Sequence, residues 1–165
     1  MADISLQVNN GLFNYKVGAI IIHDEKILMI KNDVFPYYYT VGGRVIFGET
    51  SEVALLRETY EETQVNFEID RLAFIHENFF IADFMENKFC HEIALYYHMK
   101  PSPDLDNLIC NSTGGNGEKE SLHWLLISEL QKYPVFPDFY KTELSNLKNE
   151  VIHFVTKEEK TYRAL

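Results

Sequence analysis

The chain has 165 residues, of which 46% are hydrophobic and 24% are charged, a composition typical of a globular protein. This length suits one domain that spans residues 1–165 and is too short for two. The net charge of −10 argues against nucleic acid as a partner, because binding to its phosphates requires a basic stripe. An anionic substrate would need a metal ion or a few local cations to bind.

The chain also lacks the sequence features of membrane proteins and of disulfide-rich proteins. The apolar stretch from Val17 to Ile22 is far too short to span a bilayer, and the first residues carry no signal-peptide pattern. Cys90 and Cys110 stand alone, so neither a zinc site nor a disulfide framework is expected. We therefore expect a cytoplasmic protein with no membrane partner.

Runs of β-branched and aromatic residues, bounded by turn residues, predict the strands of a sheet. In chain order these segments are Tyr15–Ile22, Glu25–Ile30, Pro36–Val41, Phe67–Phe84, Lys88–Met99 and Leu122–Ile127. Residues 83–87 are the expected turn of a long antiparallel pair, and Gly42 and Gly43 are expected to end the third segment. The polar stretch 101–117 predicts a flexible loop.

Two helices are predicted, over residues 50–63 and over residues 138–149. A hydroxyl side chain at the start of the first one can accept a hydrogen bond from its backbone. In this helix Val53, Leu56 and Tyr60 share an apolar face, which Ala54 and Leu55 widen and which we expect to pack on the sheet. Strands and helices mix without strict alternation, which predicts an α/β fold with a mixed sheet flanked by helices on both sides.

Three glutamates of the first helix, Glu58, Glu61 and Glu62, lie at positions i, i+3 and i+4 and therefore share one face. Like charges at this spacing repel each other, and the negative end of the helix dipole disfavours them further. A site for Mg²⁺ or Mn²⁺ explains the arrangement, because these cations prefer carboxylate oxygens. A solvated acidic face is the alternative interpretation.

The spacing around these glutamates resembles the signature of the Nudix hydrolase superfamily. In this chain the signature consists of Gly43, five residues, Glu49, seven residues, Arg57 and Glu58, two residues, Glu61 and Glu62. Three positions depart from it, with Thr59 in place of a hydrophobic residue, Gln64 in place of the usual glycine and Val41 in place of a frequent proline. The resemblance implies a Nudix-type α/β/α sandwich.

The same resemblance implies hydrolysis of the diphosphate linkage of a nucleoside diphosphate derivative, by attack of water on phosphorus. It implies that the three helix glutamates bind Mg²⁺ or Mn²⁺, with a carbonyl oxygen of Gly42 or Gly43 as a further ligand. Arg57 and Glu49 are implied to orient these carboxylates. ADP-ribose, nucleotide sugars, dinucleoside polyphosphates and (deoxy)nucleoside triphosphates all remain open as substrates, because specificity depends on loops outside the signature.

Many members of the superfamily take one more carboxylate from a loop late in the sheet, either as a metal ligand or as a base. Glu118 is the first candidate, because it lies in the segment expected to be mobile, six residues before Trp124. Glu120 is the second candidate and Glu92, in a predicted strand, is the third.

Three further residues are candidates for binding the substrate. Tyr38, the middle one of three consecutive tyrosines, can stack on a base or a sugar, and Arg44 and Lys31 can bind phosphate. An ordinary structural or surface role is the alternative for each. The six histidines are interpreted as structural or surface groups, because their spacing fits no metal site.

Two other functions remain open. One is a Nudix-fold module that binds a nucleotide without turning it over, and the other is an isomerase of the same fold acting on an isoprenoid diphosphate. Cys90 is the only candidate for the cysteine that such an isomerase needs. Three phenylalanines, Phe79, Phe80 and Phe84, are interpreted as core residues or as a dimer surface, which leaves a homodimer open.

Overall fold

The fold is built on a mixed sheet that carries one long helix. The computed structural model describes residues 2–82, 88–110, 112–114 and 117–158. The strands in these ranges are β1 (Ser5–Val8), β2 (Gly11–Ile20), β3 (Ile22–His23), β4 (Lys26–Asn32), β5 (Tyr38–Arg44), β6 (Ile69–Ala82), β7 (Lys88–Met99), β8 (Glu120–Leu126), β9 (Val135–Phe136) and β10 (Ile152–Lys157). The helices are α1 (Ser51–Thr63) and α2 (Tyr140–Glu143), with short 3₁₀ helices at Leu105–Asn107, Ile127–Lys132 and Leu144–Asn146.

The strands are hydrogen-bonded in the order β10-β6-β7-β2-β5-β4-β3, with β1 paired to β2, β8 to β4 and β9 to β5. The pairs β2–β7, β6–β10 and β5–β9 are parallel and the others are antiparallel, which confirms the predicted mixed sheet. Strands β1, β9 and β10 are not among the predicted segments; each is ordered by pairing with one other strand. The predicted turn at residues 83–87, with Phe84, lies outside the described residues.

Hydrophobic cores lie on both faces of the sheet. On one face Leu55 of α1 packs with Val41, and on the other Tyr140 of α2 packs with Met29. The predicted α/β fold is therefore confirmed, but the helix predicted over residues 138–149 is much shorter, because serine and asparagine, which favour turns, follow α2. No helix in the described part of the chain is long and apolar enough to cross a membrane.

Helix α1 is rotated relative to the prediction. Val53, Leu56 and Tyr60 are 54%, 39% and 44% exposed, so the expectation that they pack on the sheet is wrong, although it is confirmed for Ala54 and Leu55. The buried residues are Ala54, Leu55, Thr59, Glu62 and Thr63. The threonine hydroxyls donate to carbonyl oxygens one turn earlier in the helix, at 2.6 Å, so these polar residues can be buried. The helix turns Glu58 and Glu62 toward the sheet, and this leaves the apolar stripe in solvent.

The end of α1 explains how a glutamine replaces the usual glycine. Gln64 adopts the left-handed conformation, with φ of 60°, and its N–H donates to the carbonyl oxygen of Tyr60 at 2.8 Å. This conformation costs a non-glycine residue roughly 1–2 kcal/mol. The Gln64 side chain offsets part of that cost, because Nε2 donates to the carbonyl oxygens of Tyr60 and Glu61 at 3.1 and 3.2 Å.

Strand β5 continues through the paired glycines, so the prediction that Gly42 and Gly43 end regular structure is wrong. The first half of β5 pairs with β4 and β9, and its second half pairs with β2. A Cβ atom on Gly43 would overlap the carboxylate of Glu58, and one on Gly42, whose φ is 141°, would overlap the carbonyl oxygen of Val17. These glycines are therefore required by the close approach of a helix side chain and of a neighbouring strand.

Candidate active site

Arg57 and Glu49 form an ion pair that ties α1 to the loop before it. Nη2 and Nε of Arg57 donate to the two carboxylate oxygens of Glu49 at 2.6 and 3.3 Å. Glu49 Oε1 also accepts the N–H of Ile46, and Arg57 Nη2 also donates to the carbonyl oxygen of Arg44. The hydrogen bond from Arg57 lowers the pKa of Glu49. The arginine therefore fixes the loop, the end of β5 and the helix relative to one another.

The same guanidinium contacts two of the helix glutamates. Nη1 of Arg57 donates to Glu58 Oε1 at 2.8 Å and lies 3.5 Å from Glu61 Oε2. The carboxylate of Glu58 lies over Gly43, in the space that a side chain there would occupy. Burial raises the pKa of Glu58, and the negative charge of Glu61 adds to this, although Arg57 opposes both effects. Arg57 therefore partly neutralises this side of the carboxylate cluster.

Glu62 is buried against the backbone of β5, with 8% exposure. Its Oε2 accepts the N–H of Gly42 at 2.7 Å. This N–H is free for a side chain because the pairing of β5 with β4 extends only to Thr40. Burial raises the pKa of Glu62 well above its ordinary value of 4.5, and the charges of Glu120 and Glu58 raise it further, against the hydrogen bond from Gly42.

Glu120 is brought to the helix glutamates by the start of β8. It is 8% exposed, and its Oε1 accepts a hydrogen bond from the hydroxyl of Tyr39 at 2.7 Å. Its register partner on β4 is Asn32, also buried. Burial, the Glu120 contact and the charge of Glu62 together raise the pKa of Tyr39, so the two carboxylates and the tyrosine lie close together. Sequence reasoning gave no role to Asn32 and considered the three consecutive tyrosines only for stacking on a base or a sugar.

The structure places the other two late carboxylates elsewhere. The Glu118 carboxylate lies over Gly114, whose N–H donates to the carbonyl oxygen of Glu118 at 2.8 Å. Glu92 accepts a hydrogen bond from Asn14 at 3.0 Å and lies 3.8 Å from Lys16. Because residues alternate between faces and Val17 packs on α1, Asn14, Lys16 and Glu92 lie on the opposite face. The geometry therefore favours Glu120 over the first candidate, Glu118.

The three predicted substrate-binding residues have different surroundings. Tyr38 packs in the core opposite α1, with ring contacts to His123 and Tyr133, so it is not brought to the helix carboxylates. Lys31 lies with its Nζ 5.2 Å from the centre of the Tyr38 ring. Arg44 pairs loosely with Asp3, and its buried Nε has no hydrogen-bond partner among the described residues.

Two open grooves meet at Glu120. One, of about 390 Å³, is lined by Lys31, Asn32, Asp33, Lys119, Glu120, Ser121 and His123. The other, of about 480 Å³, shares Lys119, Glu120 and Ser121 and extends to the apolar side chains of Leu105, Leu108 and Trp124. A ligand in either groove would therefore reach Glu120, and the first groove offers it two lysines.

The carboxylates fit a divalent cation by their chemistry. In this structure no group of three acidic, histidine or cysteine side chains among the described residues is arranged to hold an ion. Glu58 and Glu61 contact Arg57 instead. The donors are all oxygens, which suit a hard cation such as Mg²⁺. Glu62 and Glu120 are buried near each other, and a cation would relieve the resulting repulsion.

His76 and Cys90 lie in structural contacts. His76 is buried against Thr156 and Phe139, and burial lowers its pKa to about 4. Cys90 is buried in a small cluster with Leu12, Ala82 and Phe80. Its place on β7 is on the face opposite α1, so the structure does not bring it to the carboxylates. The candidate for an isomerase cysteine is therefore not near this site.

Comparison with known proteins agrees with the fold and the motif. A family model described as the NUDIX domain matches residues 13–145. A search of curated protein sequences found no match. The structure is similar to a mutator MutT protein from Bacillus halodurans, with a TM-score of 0.60, 15% identity, and coverage of 88% of this chain and 92% of that one.

Two further solved structures are similar. A MutT protein from Methanosarcina mazei Go1 has a TM-score of 0.60 and 16% identity, with coverage of 86% of this chain and 100% of that one. An ADP-ribose pyrophosphatase from Streptococcus suis 89-1591 has a TM-score of 0.53 and 14% identity, with coverage of 87% and 98%. The family model spans most of the chain, including the loop and helix that carry the carboxylates, so the chain belongs to the NUDIX family and is, as predicted, an enzyme of the Nudix pyrophosphohydrolase class.

Proposed function

We propose that this enzyme hydrolyses the diphosphate linkage of a nucleoside diphosphate derivative with the aid of Mg²⁺ or Mn²⁺. The observation that supports this most directly is the approach of two helix carboxylates to the backbone of one strand. Glu62 accepts the N–H of Gly42, Glu58 lies over Gly43, and Glu120 lies near Glu62 from another strand. Such a concentration of buried negative charge is unfavourable without a cation.

Glu58, Glu61 and Glu62 are the proposed ligands, with the carbonyl oxygen of Gly43 as a further donor and Glu120 as the additional carboxylate. A bound cation would neutralise the charge of the diphosphate and lower the pKa of a water molecule. The protein's contribution is to position the ligand oxygens before the cation binds. Gly43 carries no side chain, and this lets Glu58 lie against β5.

Arg57 and Glu49 are positioning residues in this proposal. Arg57 holds Glu49 with two hydrogen bonds and uses its remaining nitrogen to contact Glu58 and Glu61. The second oxygen of Glu58 is left out of this contact, so the carboxylate can turn toward a ligand while one oxygen stays bound. Mutation of residues that orient metal ligands typically lowers metal affinity or activity 10–100-fold.

The substrate would bind along the groove that carries Lys31 and Lys119, whose charges offset part of the field of this acidic protein. Arg44 is a further proposed phosphate contact, because its buried Nε lacks a partner among the described residues. The solved structures of similar fold include proteins named MutT and ADP-ribose pyrophosphatase, so ADP-ribose, nucleotide sugars and (deoxy)nucleoside triphosphates are the compounds to test first.

The proposal is tested by Glu62→Gln, which keeps the shape of the side chain and removes its charge. We expect kcat to fall by about 10²–10⁴-fold, because a proposed metal ligand loses its charge. The protein should stay folded, because the burial of a charge is unfavourable and its removal should not cost stability. Glu52→Gln is the matched control, since Glu52 lies exposed in the first turn of the same helix.

The assay is mass spectrometry of the products formed from a nucleotide panel with Mg²⁺ and with Mn²⁺. Near-normal turnover by Glu62→Gln would contradict the metal assignment. Tight binding of a nucleotide without product, with either cation, would instead favour a binding module that has lost turnover.

A further inference from the structure

The hydrogen bond between Tyr39 and Glu120 joins two strands at the edge of the carboxylate cluster. Tyr39 Oη donates to Glu120 Oε1 at 2.7 Å, across 81 residues of sequence. The backbone of Tyr39 is held on both sides, because it pairs with Ile30 on β4 and with Phe136 on β9. The hydroxyl is therefore placed by the sheet and not by a loop.

The ring of Tyr39 is fixed as well. It packs against the hydrophobic core under α1 and makes an edge contact with the ring of Tyr37, with 6.4 Å between the ring centres. A side chain with a fixed ring can hold its hydroxyl in one place, and this makes it a suitable anchor for a flexible carboxylate.

The chemistry of the donor is also informative. Arg57, which holds Glu49 and Glu58, is a cation, so it neutralises the carboxylates that it orients. The hydrogen bonds that the structure shows at Glu62 and Glu120 come instead from the N–H of Gly42 and the hydroxyl of Tyr39, which are neutral. A neutral donor fixes the position of a carboxylate and leaves its charge available to a cation.

We propose that Tyr39 is a positioning residue, whose hydroxyl holds Glu120 beside Glu62 so that both carboxylates can bind the same divalent cation. This rests on the proposed function, in which Glu120 is the additional carboxylate. The alternative is that Tyr39 is a core residue whose hydroxyl has no influence on the metal.

The experiment uses the full-length variants Tyr39→Phe and Glu120→Gln and the double variant. Mn²⁺ binding is measured by calorimetry without substrate, and kcat and KM are measured with the best substrate of the panel. Tyr39→Phe keeps the ring, and we expect it to weaken Mn²⁺ binding about 10-fold and to lower kcat with little change in KM. In the Glu120→Gln background the same substitution should have no further effect.

Tyr39→Leu removes the same hydroxyl and leaves the Glu120 carboxylate unchanged. We expect it to weaken Mn²⁺ binding at least as much as Tyr39→Phe does, and it keeps the test open if Tyr39→Phe does not fold. Tyr60→Phe is the matched control, since the ring of Tyr60 is on the exposed face of α1. Thermal unfolding of each variant checks that the fold is intact.

The outcomes separate the two proposals. If Glu120→Gln leaves Mn²⁺ binding unchanged, the assignment of Glu120 in the proposed function is wrong, and the role of Tyr39 is overturned with it. If Glu120→Gln weakens binding but Tyr39→Phe does not, only the role of Tyr39 is overturned. Equal losses from Tyr39→Phe in the wild-type and Glu120→Gln backgrounds would also overturn it, because the tyrosine would then act independently of Glu120.

Discussion

The carboxylate cluster has two sides that are stabilised in different ways. On one side, Arg57 contacts Glu49, Glu58 and Glu61 with distances of 2.6 to 3.5 Å. On the other side, Glu62 and Glu120 are each 8% exposed and are held by neutral donors. The first side has its own counter-charge, whereas no ion pair to Glu62 or Glu120 is found among the described residues.

This difference indicates that the two sides of the cluster have different roles. The arginine side has the properties of a structural support, since its ion pairs connect the loop, the helix and the strand before any ligand arrives. The buried side has the properties of a binding site, since its charge is unfavourable until something positive is present. Removing a residue from the first side should therefore cost stability, and removing one from the second should cost function without much loss of stability.

Replacing Arg57 should have the largest combined effect. Arg57→Ala leaves Glu49 and Glu58 without their shared partner, and we expect the free energy of unfolding to fall by about 2–3 kcal/mol and kcat by about 100-fold. Urea denaturation and steady-state kinetics measure the two effects. Lys100→Ala, which removes the exposed pair with Glu68, is the control and should cost less than about 1 kcal/mol. A similar loss in both variants would remove the contrast between the two sides.

Gly43→Ala should reduce kcat by about 10–100-fold, because the new methyl group would occupy the position of the Glu58 carboxylate. Glu58 would have to move away from β5, while its contact with Arg57 can persist. We therefore expect a smaller loss of stability than for Arg57→Ala. Kinetics and thermal unfolding of the same preparation measure this. Unchanged kcat would show that catalysis does not need Glu58 against the strand.

The two sides should also differ in how stability depends on pH in protein freed of divalent cations. The pKa of Glu62 is raised in the folded state, so the folded state binds its proton more tightly, and stability should fall as pH rises above the ordinary value of 4.5 through the folded pKa. The pKa of Glu49 is lowered, so its contribution should be lost as pH falls below 4.5.

Melting temperatures measured with EDTA across this pH range test the sign of both effects. In Glu62→Gln the loss of stability at higher pH should be smaller than in the wild type, and added Mn²⁺ should reduce it in the wild type only. Identical pH profiles for the two proteins would contradict a buried charge at Glu62.

Gln64→Gly should have the smallest effect, because Gln64 lies outside both sides of the cluster. Glycine adopts the left-handed conformation without strain, although the two hydrogen bonds of the glutamine side chain are lost. We expect a net stabilisation of about 0.5–1 kcal/mol in urea denaturation and unchanged kcat. A loss of stability would mean that the side-chain hydrogen bonds outweigh the backbone strain.

The helix and its carboxylates are predictable from sequence because the spacing of charged residues along one helix is a local property. The sequence predicts a helix from residue 50 to 63, and the structure has it at Ser51–Thr63. The sequence does not predict which face is buried. The apolar stripe of Val53, Leu56 and Tyr60 suggests one answer, but the contact of Glu62 with β5 selects another.

The consecutive tyrosines of β5 show the same limit, because the sequence does not predict which of two neighbouring residues faces the carboxylates. Tyr38 and Tyr39 are equivalent in the sequence, yet alternation along β5 places the first against the core opposite α1 and the second beside Glu120. Strand register, which sets this parity, depends on pairing with β4 and β9 and not on the local sequence.

By itself, the sequence determined the family, the predicted metal-binding helix and the ion pair of Arg57 with Glu49, since all of these lie within one loop and one helix. Only the tertiary structure shows which late carboxylate lies near them. Glu120 reaches Glu62 because β8 pairs with β4 in a register that sets Glu120 opposite Asn32. Backbone pairing between distant strands fixes that register, and residue spacing along the chain carries no information about it.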